Sequence, residues 1–509
     1  MVMELADKTV LLVDDNTEVR NSLRIQLQDS GLSRCVAVRS IREALAKIQV
    51  QKFDLVVCDY NLGPDTDGQQ FLELIRRKQL LPLTSAFMMV TGEVSYQRVS
   101  TAAEYSPDDY LLKPFTADKL AMRLRRILEK KEALKPIYRH MTPRGDRQKA
   151  IDACDEMLKG GHEFAADVLR LKGDLLMQTG RHDEALALYD AILSQRSTPW
   201  ALVGRGLALK ETERDEEAAK LLEEAMAVYP NYLAAYDVLA GILEKTDKEA
   251  AQNVIEQAIK VSPSTQRQRN LGALALENKD FRRAEIAYRT AVDRDRTGFF
   301  KSHDDYAALS RSCVEQGKHQ EALSAVKDMG MHFSHTPDLK ARQAALECQV
   351  HIRAGNPEAA EAAYTRALHM QREGGLNAET ALEVAQSCFA MGQDAEAKQI
   401  LQAVAEDHQE NEQVLRRALG VFETAGLKEE GSIFLETASK NMVRLNNEAV
   451  SLAREGELDH AVSMLVEAAE RLRNNAQVAI NAAQAILMRI SRRGMDVEQL
   501  AQAQRFIEQ

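Results

Sequence analysis

The chain contains 509 residues, of which 45% are hydrophobic and only 5% aromatic, and its formal net charge is −11. This length predicts more than one domain, and scarce aromatic residues favour packed helices over β-sandwiches. The acidic balance argues against direct nucleic-acid binding. Six scattered cysteines are typical of reduced thiols. Without a signal-peptide pattern or an apolar stretch of roughly 20 residues, we expect a cytoplasmic protein without a membrane span.

The first 130 residues alternate short apolar segments with amphipathic ones, in the order strand then helix, five times over. The predicted strands are 9–13, 35–38, 54–58, 86–90 and 109–112. The predicted helices are 17–30, 41–50, 68–78, 94–103 and 117–131. This alternation predicts a parallel (βα)5 sheet with helices on both faces. An all-α region is expected to follow, so the fold class is multidomain, α/β plus all-α.

Polar side chains follow four of these strands, at the sheet edge where ligands bind in parallel α/β folds. They are Asp14, Asp15, Asp59, Thr91 and Lys113. Each residue alone is more simply explained as a helix cap or a loop residue, but their joint order and spacing are not. Three clustered carboxylates repel one another unless a cation neutralises them, and such oxygen ligands suit Mg²⁺. A carboxylate there can attack a phosphoryl group, whose oxygens a lysine and a hydroxyl stabilise. We therefore interpret Asp59 as a phosphoryl acceptor.

Residues 5–130 resemble the receiver domain of two-component response regulators, a flavodoxin-like fold. The residues that carry the resemblance are Asp14-Asp15, Asp59, Thr91-Gly92, Tyr110 and Lys113-Pro114-Phe115. The resemblance implies that Asp59 is the phosphoacceptor. It also implies that Asp15, Asp59 and the main-chain carbonyl of Asn61 bind Mg²⁺ directly, while Asp14 acts mainly through metal-bound water. The phosphoryl donor would be a phosphohistidine on a sensor histidine kinase.

The same resemblance implies a switch pair, in which Thr91 moves towards the phosphoryl group and Tyr110 turns inward. One departure from the family pattern follows Asp59. Gly63 stands where proline is common, and Pro64 comes one place later, so the loop is one residue longer. The longer loop could alter the lifetime of the phosphoryl group, and it makes the Asn61 assignment less secure than those of the carboxylates.

A basic connector at residues 131–147 precedes a repeat that extends to residue 509. In each copy a small residue is followed four places on by a larger apolar residue, often with another small or apolar residue three further, which places them on one helical face. Early copies are 33 residues apart, and later ones 30 to 38. The copies are Ala185/Tyr189/Ile192, Ala218/Leu222/Ala225, Ala251/Ile255/Ala258, Ala284/Tyr288/Ala291, Ala322/Val326, Ala360/Tyr364/Ala367, Ala397/Leu401/Val404, Gly431/Leu435 and Ala461/Leu465/Ala468.

Six of these copies have a glycine five residues before the small residue, where a turn between paired helices is expected. These glycines are Gly180, Gly317, Gly355, Gly392, Gly426 and Gly456. The pattern is similar to the tetratricopeptide repeat (TPR). The resemblance implies an α-solenoid of about nine repeats plus caps over residues 148–509, with a concave face that holds peptides or protein segments. It implies no catalysis.

The expected domains are therefore a receiver at 1–130, a linker at 131–147 and the array at 148–509. We expect a response regulator whose phosphorylation state controls protein binding by the array, and not an enzyme. The face built by the fourth helix, fifth strand and fifth helix is expected to carry the change. The alternative is a constitutive scaffold, in which the receiver serves for localisation or dimerisation. A homodimer through the receiver stays open.

Two further motifs have simpler structural explanations. Gly204-Arg-Gly206 falls inside a predicted repeat helix, so it is not interpreted as a phosphate loop. His332 and His335 have no further ligands close by in the sequence, which favours loop histidines over a metal site.

Overall fold

The computed structural model describes residues 5–508 except 64–66, 93–106, 297, 334–335, 374, 409–410, 435–447, 450, 453–456, 472–475 and 495. The predicted helix 94–103 and the predicted features at Pro64, His335, Leu435 and Gly456 lie outside the described residues. The chain divides into two compact units, Met1–Asp305 and Tyr306–Gln509. Each unit is described by itself.

The first unit begins with five parallel strands in the spatial order β2-β1-β3-β4-β5. The strands are β1 Thr9–Val13, β2 Arg34–Val38, β3 Leu55–Asp59, β4 Ala86–Thr91 and β5 Asp109–Leu112. The helices described around them are α1 Thr17–Asp29, α2 Ile41–Val50, α3 Gly68–Arg77 and α4 Ala117–Ala133. The predicted doubly covered parallel sheet is confirmed. Because the strand order reverses beside β1, the carboxyl ends of β1 and β3 meet at its switch point.

Central strands β1 and β3 are almost completely buried, as their continuous apolar sequences predict. Side chains alternate between the two faces, so one core forms under α2 and α3 and a second under α1 and α4. Helix α3 starts at a capping box, in which Asp67 accepts from the Gln70 backbone N–H at 2.8 Å. This cap fixes the position of α3 directly after the strand that carries Asp59.

The segment predicted as a linker is packed against its surroundings in its first part. Helix α4 ends at Ala133, and the short helix α5 Lys135–Tyr138 follows, with Pro136 in its first turn. Leu134 and Ile137 are buried in the same apolar cluster as the first repeat helices. Moving this first part of the segment would therefore expose two core side chains.

The remainder of the chain forms paired helices, which confirms the predicted helical-repeat architecture. In the first unit they are α6 Arg147–Lys159, α7 Ala165–Gln178, α8 His182–Gln195, α9 Pro199–Glu211, α10 Asp215–Val228, α11 Leu233–Leu243, α12 Lys248–Val261, α13 Thr265–Glu277 and α14 Phe281–Arg294. Helix α15 His303–Val314 begins in the first unit and continues into the second. The second unit adds α16 His319–His332, α17 Pro337–Arg353, α18 Pro357–Glu373, α19 Ala378–Ala390, α20 Asp394–Asp407, α21 Glu412–Thr424, α22 Leu458–Arg471, α23 Ala476–Arg493 and α24 Val497–Glu508.

The small residue that opens each predicted repeat copy is buried in all nine cases. The five described turn glycines all have φ between 72° and 76°, the left-handed conformation that ends a helix. Glu213 and Lys279 hold the same turn position in two copies that lack the glycine, and both have φ of 59°. Gly204 and Gly206 lie within α9, as predicted. None of the described helices combines the length with the apolar character that a membrane span requires.

Candidate functional site

Three carboxylates meet at the carboxyl ends of β1 and β3. Each of Asp14, Asp15 and Asp59 offers an oxygen, and these oxygens all lie within 4.8 Å of one another. Asp14 is only 1% exposed, Asp59 is half-buried and Asp15 is exposed. Burial raises the pKa of Asp14, and the neighbouring Asp59 raises it further. The three acids therefore form an electrostatically unfavourable group in the protein alone.

Lys113 is the cation that faces this group. It follows β5, and its Nζ donates to Asp59 Oδ1 at 2.8 Å and lies 3.6 Å from Asp14 Oδ2. Burial still raises the pKa of Asp59, although the hydrogen bond from Lys113 opposes that effect. Lys113 alone carries too little positive charge to neutralise three carboxylates.

The main chain around Asp59 is held tightly by the start of α3. A Cβ at Gly68 would lie 2.4 Å from the Asp59 carbonyl oxygen, so only glycine fits at this contact. The Gly68 N–H donates to the Tyr60 carbonyl at 2.7 Å, and Asn61 forms a β-bridge with Asp67. These contacts place the Asn61 backbone in the loop beside the carboxylates.

The predicted switch residues lie on the two strands next to β3. Thr91 ends β4, is 4% exposed, and accepts from the Lys113 backbone N–H at 2.7 Å through its carbonyl. Tyr110 lies on β5 beside Met89, and its hydroxyl is buried with no hydrogen-bond partner among the described residues. Burial raises the pKa of Tyr110, with a smaller contribution from Tyr60. Tyr110 is thus in an inward position.

Sequence reasoning missed the residues that position Asp14. The guanidinium of Arg20 donates to the Asp14 carbonyl at 2.7 Å, and the Asn16 N–H donates to Asp14 Oδ1 at 2.9 Å. Asn16 also caps α1, since its side chain accepts from the Glu18 and Val19 backbone N–H groups. The spacing of Arg20, one turn into the helix after the acid pair, is the signal that could have identified it.

The acidic group fits a hard divalent cation. Asp14 Oδ2 is buried without a hydrogen-bond partner among the described residues, which leaves it available as a ligand. Carboxylate oxygens are the ligands that Mg²⁺ prefers, and the exposed side of Asp15 leaves room for water.

Comparison with protein families agrees with this geometry. Residues 10–125 match the family described as "Response regulator receiver domain". Residues 129–240 match "Psidin, N-terminal TPR repeats region", and residues 243–299 and 351–419 match "Tetratricopeptide repeat". The fold and the carboxylates at the carboxyl edge of the sheet thus define a receiver domain, which is a class of signalling domain. The chain contains a response-regulator receiver domain followed by tetratricopeptide repeats, modules of signalling and protein interaction.

Two curated transcriptional regulators are similar to part of the chain. The phosphate regulon transcriptional regulatory protein PhoB of Pseudomonas aeruginosa is 29% identical over 126 residues, which are 25% of this chain and 54% of the relative. The virulence transcriptional regulatory protein PhoP of Salmonella choleraesuis is 31% identical over 125 residues, with the same two shares. The chain spans about half the length of these relatives.

A solved structure is also similar to part of the chain. The chemotaxis response regulator CheY4 of Vibrio cholerae is 30% identical, covers 24% of this chain and 98% of its own, and has a TM-score of 0.22.

Proposed function

We propose that this protein is a phosphorelay response regulator in which Asp59 accepts a phosphoryl group, and whose array binds a protein partner according to that phosphorylation. One observation carries the proposal: Lys113 Nζ lies 2.8 Å from Asp59, within a group of three carboxylates. Clustered carboxylates destabilise a folded domain unless a cation binds to them. Their presence beside a lysine therefore indicates a site that binds a cation and the phosphoryl anion.

The chemistry follows from the positions of these side chains. An oxygen of Asp59 attacks the phosphorus of a phosphohistidine on a sensor histidine kinase. The bond from phosphorus to the histidine nitrogen breaks, the nitrogen keeps the electron pair, and an acyl phosphate forms. Lys113 contacts a phosphoryl oxygen in place of Asp59, and the Thr91 hydroxyl donates to another. Tyr110 then holds the inward position as Thr91 moves.

Asp14, Asp15, Asp59 and the Asn61 carbonyl are the groups that would hold Mg²⁺, Asp14 mainly through water. When bound, Mg²⁺ supplies the positive charge that offsets negative charge building up on the phosphoryl oxygens. The buried Asp14 carboxylate supports this assignment, because a hydrogen-bond partner is lacking for its Oδ2 among the described residues.

The output assigned to the array is binding of a protein or peptide segment along its helices. Support comes from the length of the array and from the tetratricopeptide-repeat matches at residues 129–240, 243–299 and 351–419. Sequence reasoning also expects no direct nucleic-acid contact, since the chain is acidic. A homodimer through the receiver is compatible with this output.

The acceptor is tested by treating the full chain with acetyl phosphate and Mg²⁺ and measuring intact mass. We expect one hydroxylamine-sensitive phosphoryl group on the wild type and none on Asp59→Asn. The exposed-surface variant Asp7→Asn is the control and should be phosphorylated like the wild type. Equal phosphorylation of Asp59→Asn, or none on the wild type, refutes the assignment.

The output is tested by affinity capture of partners with the wild type and Asp59→Asn, each with and without beryllofluoride. We expect recovery of a partner to change with beryllofluoride only for the wild type. Equal recovery in all four samples would favour the constitutive scaffold.

A further inference from the structure

A short segment of the array lies against the receiver, within the first compact unit. Residues 298–302 lie between α14 and α15, and Phe300 packs against the apolar cluster under α3. The guanidinium of Arg77, in the last turn of α3, lies over the Phe300 ring at 5.2 Å from its centroid. The contact joins residues more than 200 positions apart in the sequence. It combines apolar burial with cation–π attraction.

The array itself holds this segment in place. The guanidinium of Arg269, in α13, donates to the Phe300 carbonyl at 2.6 Å. It also donates to both oxygens of the Asp305 carboxylate at 2.8 to 3.0 Å. Its Nη2 also lies 3.7 Å from Asp295, which is buried. A charged group bound by two carboxylates and a carbonyl fixes the backbone on both sides of Phe300. The aromatic ring is thus presented to the receiver in a preformed position.

Helix α3 connects this contact to the phosphoacceptor. Its first residue, Gly68, touches the Asp59 carbonyl, whereas Arg77 ends the helix beside Phe300. Ten residues of α-helix span about 15 Å and move as one body when one face is well packed. Glu73, midway along α3, is close enough to act on the charges of Arg269 and Asp295. The packed contacts at the two ends of α3 therefore connect a displacement at Asp59 to the array.

We propose that the C-terminal end of α3 and the Phe300 segment form an intramolecular docking surface, through which the array responds to the phosphorylation state of Asp59. The inference rests on the proposed function. It names the surface that the receiver contacts, which is the fourth helix pair of this chain's own array together with the segment after it. It assigns the response to α3, a face that sequence reasoning did not consider.

The test is hydrogen–deuterium exchange on the full chain, with and without beryllofluoride and Mg²⁺. The variants are Phe300→Ala and, on the receiver side, Arg77→Ala, whose side chain is 46% exposed and so leaves the core intact. Phe299→Ala is the matched control, because that neighbour lies outside the cluster under α3. Without beryllofluoride, we expect α3 amides to exchange roughly threefold faster in both test variants than in the wild type or control.

With beryllofluoride, we expect protection of β1, β3 and β4 to rise in every variant, while exchange in α13 and α14 changes only in the wild type and Phe299→Ala. An α13–α14 response retained in Phe300→Ala and Arg77→Ala overturns the docking surface. So does a wild type whose receiver responds while α13 and α14 do not. A receiver that responds in no sample overturns the proposed function and the inference with it.

Discussion

Replacing Asp14 with asparagine should stabilise the metal-free protein, although Asp14 is central to the site. The carboxylate is 1% exposed, and its Oδ2 has no hydrogen-bond partner among the described residues. The Asn16 N–H donates to Asp14 Oδ1 at 2.9 Å. Asparagine has the same shape as aspartate and keeps an oxygen that can accept this hydrogen bond. The substitution therefore removes a buried charge and little else.

The size of the effect follows from the distances. At an effective dielectric constant of about 20, a charge within 4.8 Å of Asp14 interacts with it by roughly 3.5 kcal/mol or more. Asp59 and the exposed Asp15 both repel Asp14, whereas Lys113 at 3.6 Å attracts it and is shared with Asp59. One attraction offsets about one repulsion. After solvent screening of Asp15, we expect Asp14→Asn to gain about 1–2 kcal/mol.

Local stability is best measured by hydrogen–deuterium exchange of the β1 and β3 amides in the full chain, in the presence of a chelator. A gain of about 1–2 kcal/mol slows exchange there by roughly 5- to 30-fold. Amides of α12, far along the sequence, serve as the internal reference. Asp7→Asn is the matched control, since Asp7 is 71% exposed and pairs with Arg34 at the surface; we expect a change below about 0.5 kcal/mol.

Addition of Mg²⁺ should reverse the ranking. Saturating Mg²⁺ slows exchange in the wild type, because a ligand bound only by the folded state stabilises it. It should have a weaker effect on Asp14→Asn and the same effect on Asp7→Asn as on the wild type. If Asp14→Asn exchanges faster than the wild type in chelator, the argument that repulsion dominates this site is wrong.

Three further predictions concern stability elsewhere in the chain, each measured by thermal and urea unfolding. Lys131→Met should cost about 3 kcal/mol, because it breaks a 2.8 Å ion pair whose partners are 7% and 11% exposed. Lys130→Met, the adjacent control, breaks a more exposed pair and should cost below about 1 kcal/mol. Glu213→Gly should gain about 1 kcal/mol by relieving a φ of 59°, whereas Gly317→Ala, with φ of 72°, should lose at least as much; the opposite signs would contradict the turn assignment. Burial raises the pKa of Asp295 from its unfolded value of 3.8 to about 6 in the folded protein. The ionised carboxylate therefore destabilises the fold above pH 6, and this penalty decreases as the pH falls below 6. The gain from Asp295→Asn, about 2 kcal/mol at neutral pH, should therefore shrink towards pH 4, and a constant gain would contradict the assignment.

The sheet was predictable because its signals are local. Apolar segments of four or five residues ended on polar groups at the carboxyl edge, and parallel pairing alone brings Asp14 and Asp59 together. The repeat was predictable for the same reason, since its period fixes which face is buried. Even the turn position could be located, although Glu213 shows that the left-handed conformation persists where the sequence supplies no glycine.

The contacts that could not be predicted join distant parts of the chain. Lys131 was assigned to the end of a helix and to the start of a linker, yet its Nζ donates to the Leu83 carbonyl at 3.0 Å and pairs with Asp108. Nothing near Lys131 in the sequence encodes those partners. The contact of Phe300 could not be predicted either, because a single aromatic residue in a connecting segment has no periodicity that indicates its neighbour.

These distant contacts restrict how a signal can leave the receiver. Leu134 and Ile137 are buried among the first repeat helices, and Lys130 pairs with Asp167 of α7 at 3.2 Å. Rotation about the connector would expose both apolar side chains, at a cost of roughly 1.5–3 kcal/mol each. Closely packed interfaces change by small shifts between discrete arrangements more readily than by such openings. A receiver fixed at the end of α4 and contacted again at the end of α3 can therefore transmit a change at Asp59 by displacing α3 against Phe300, without swinging away from the array.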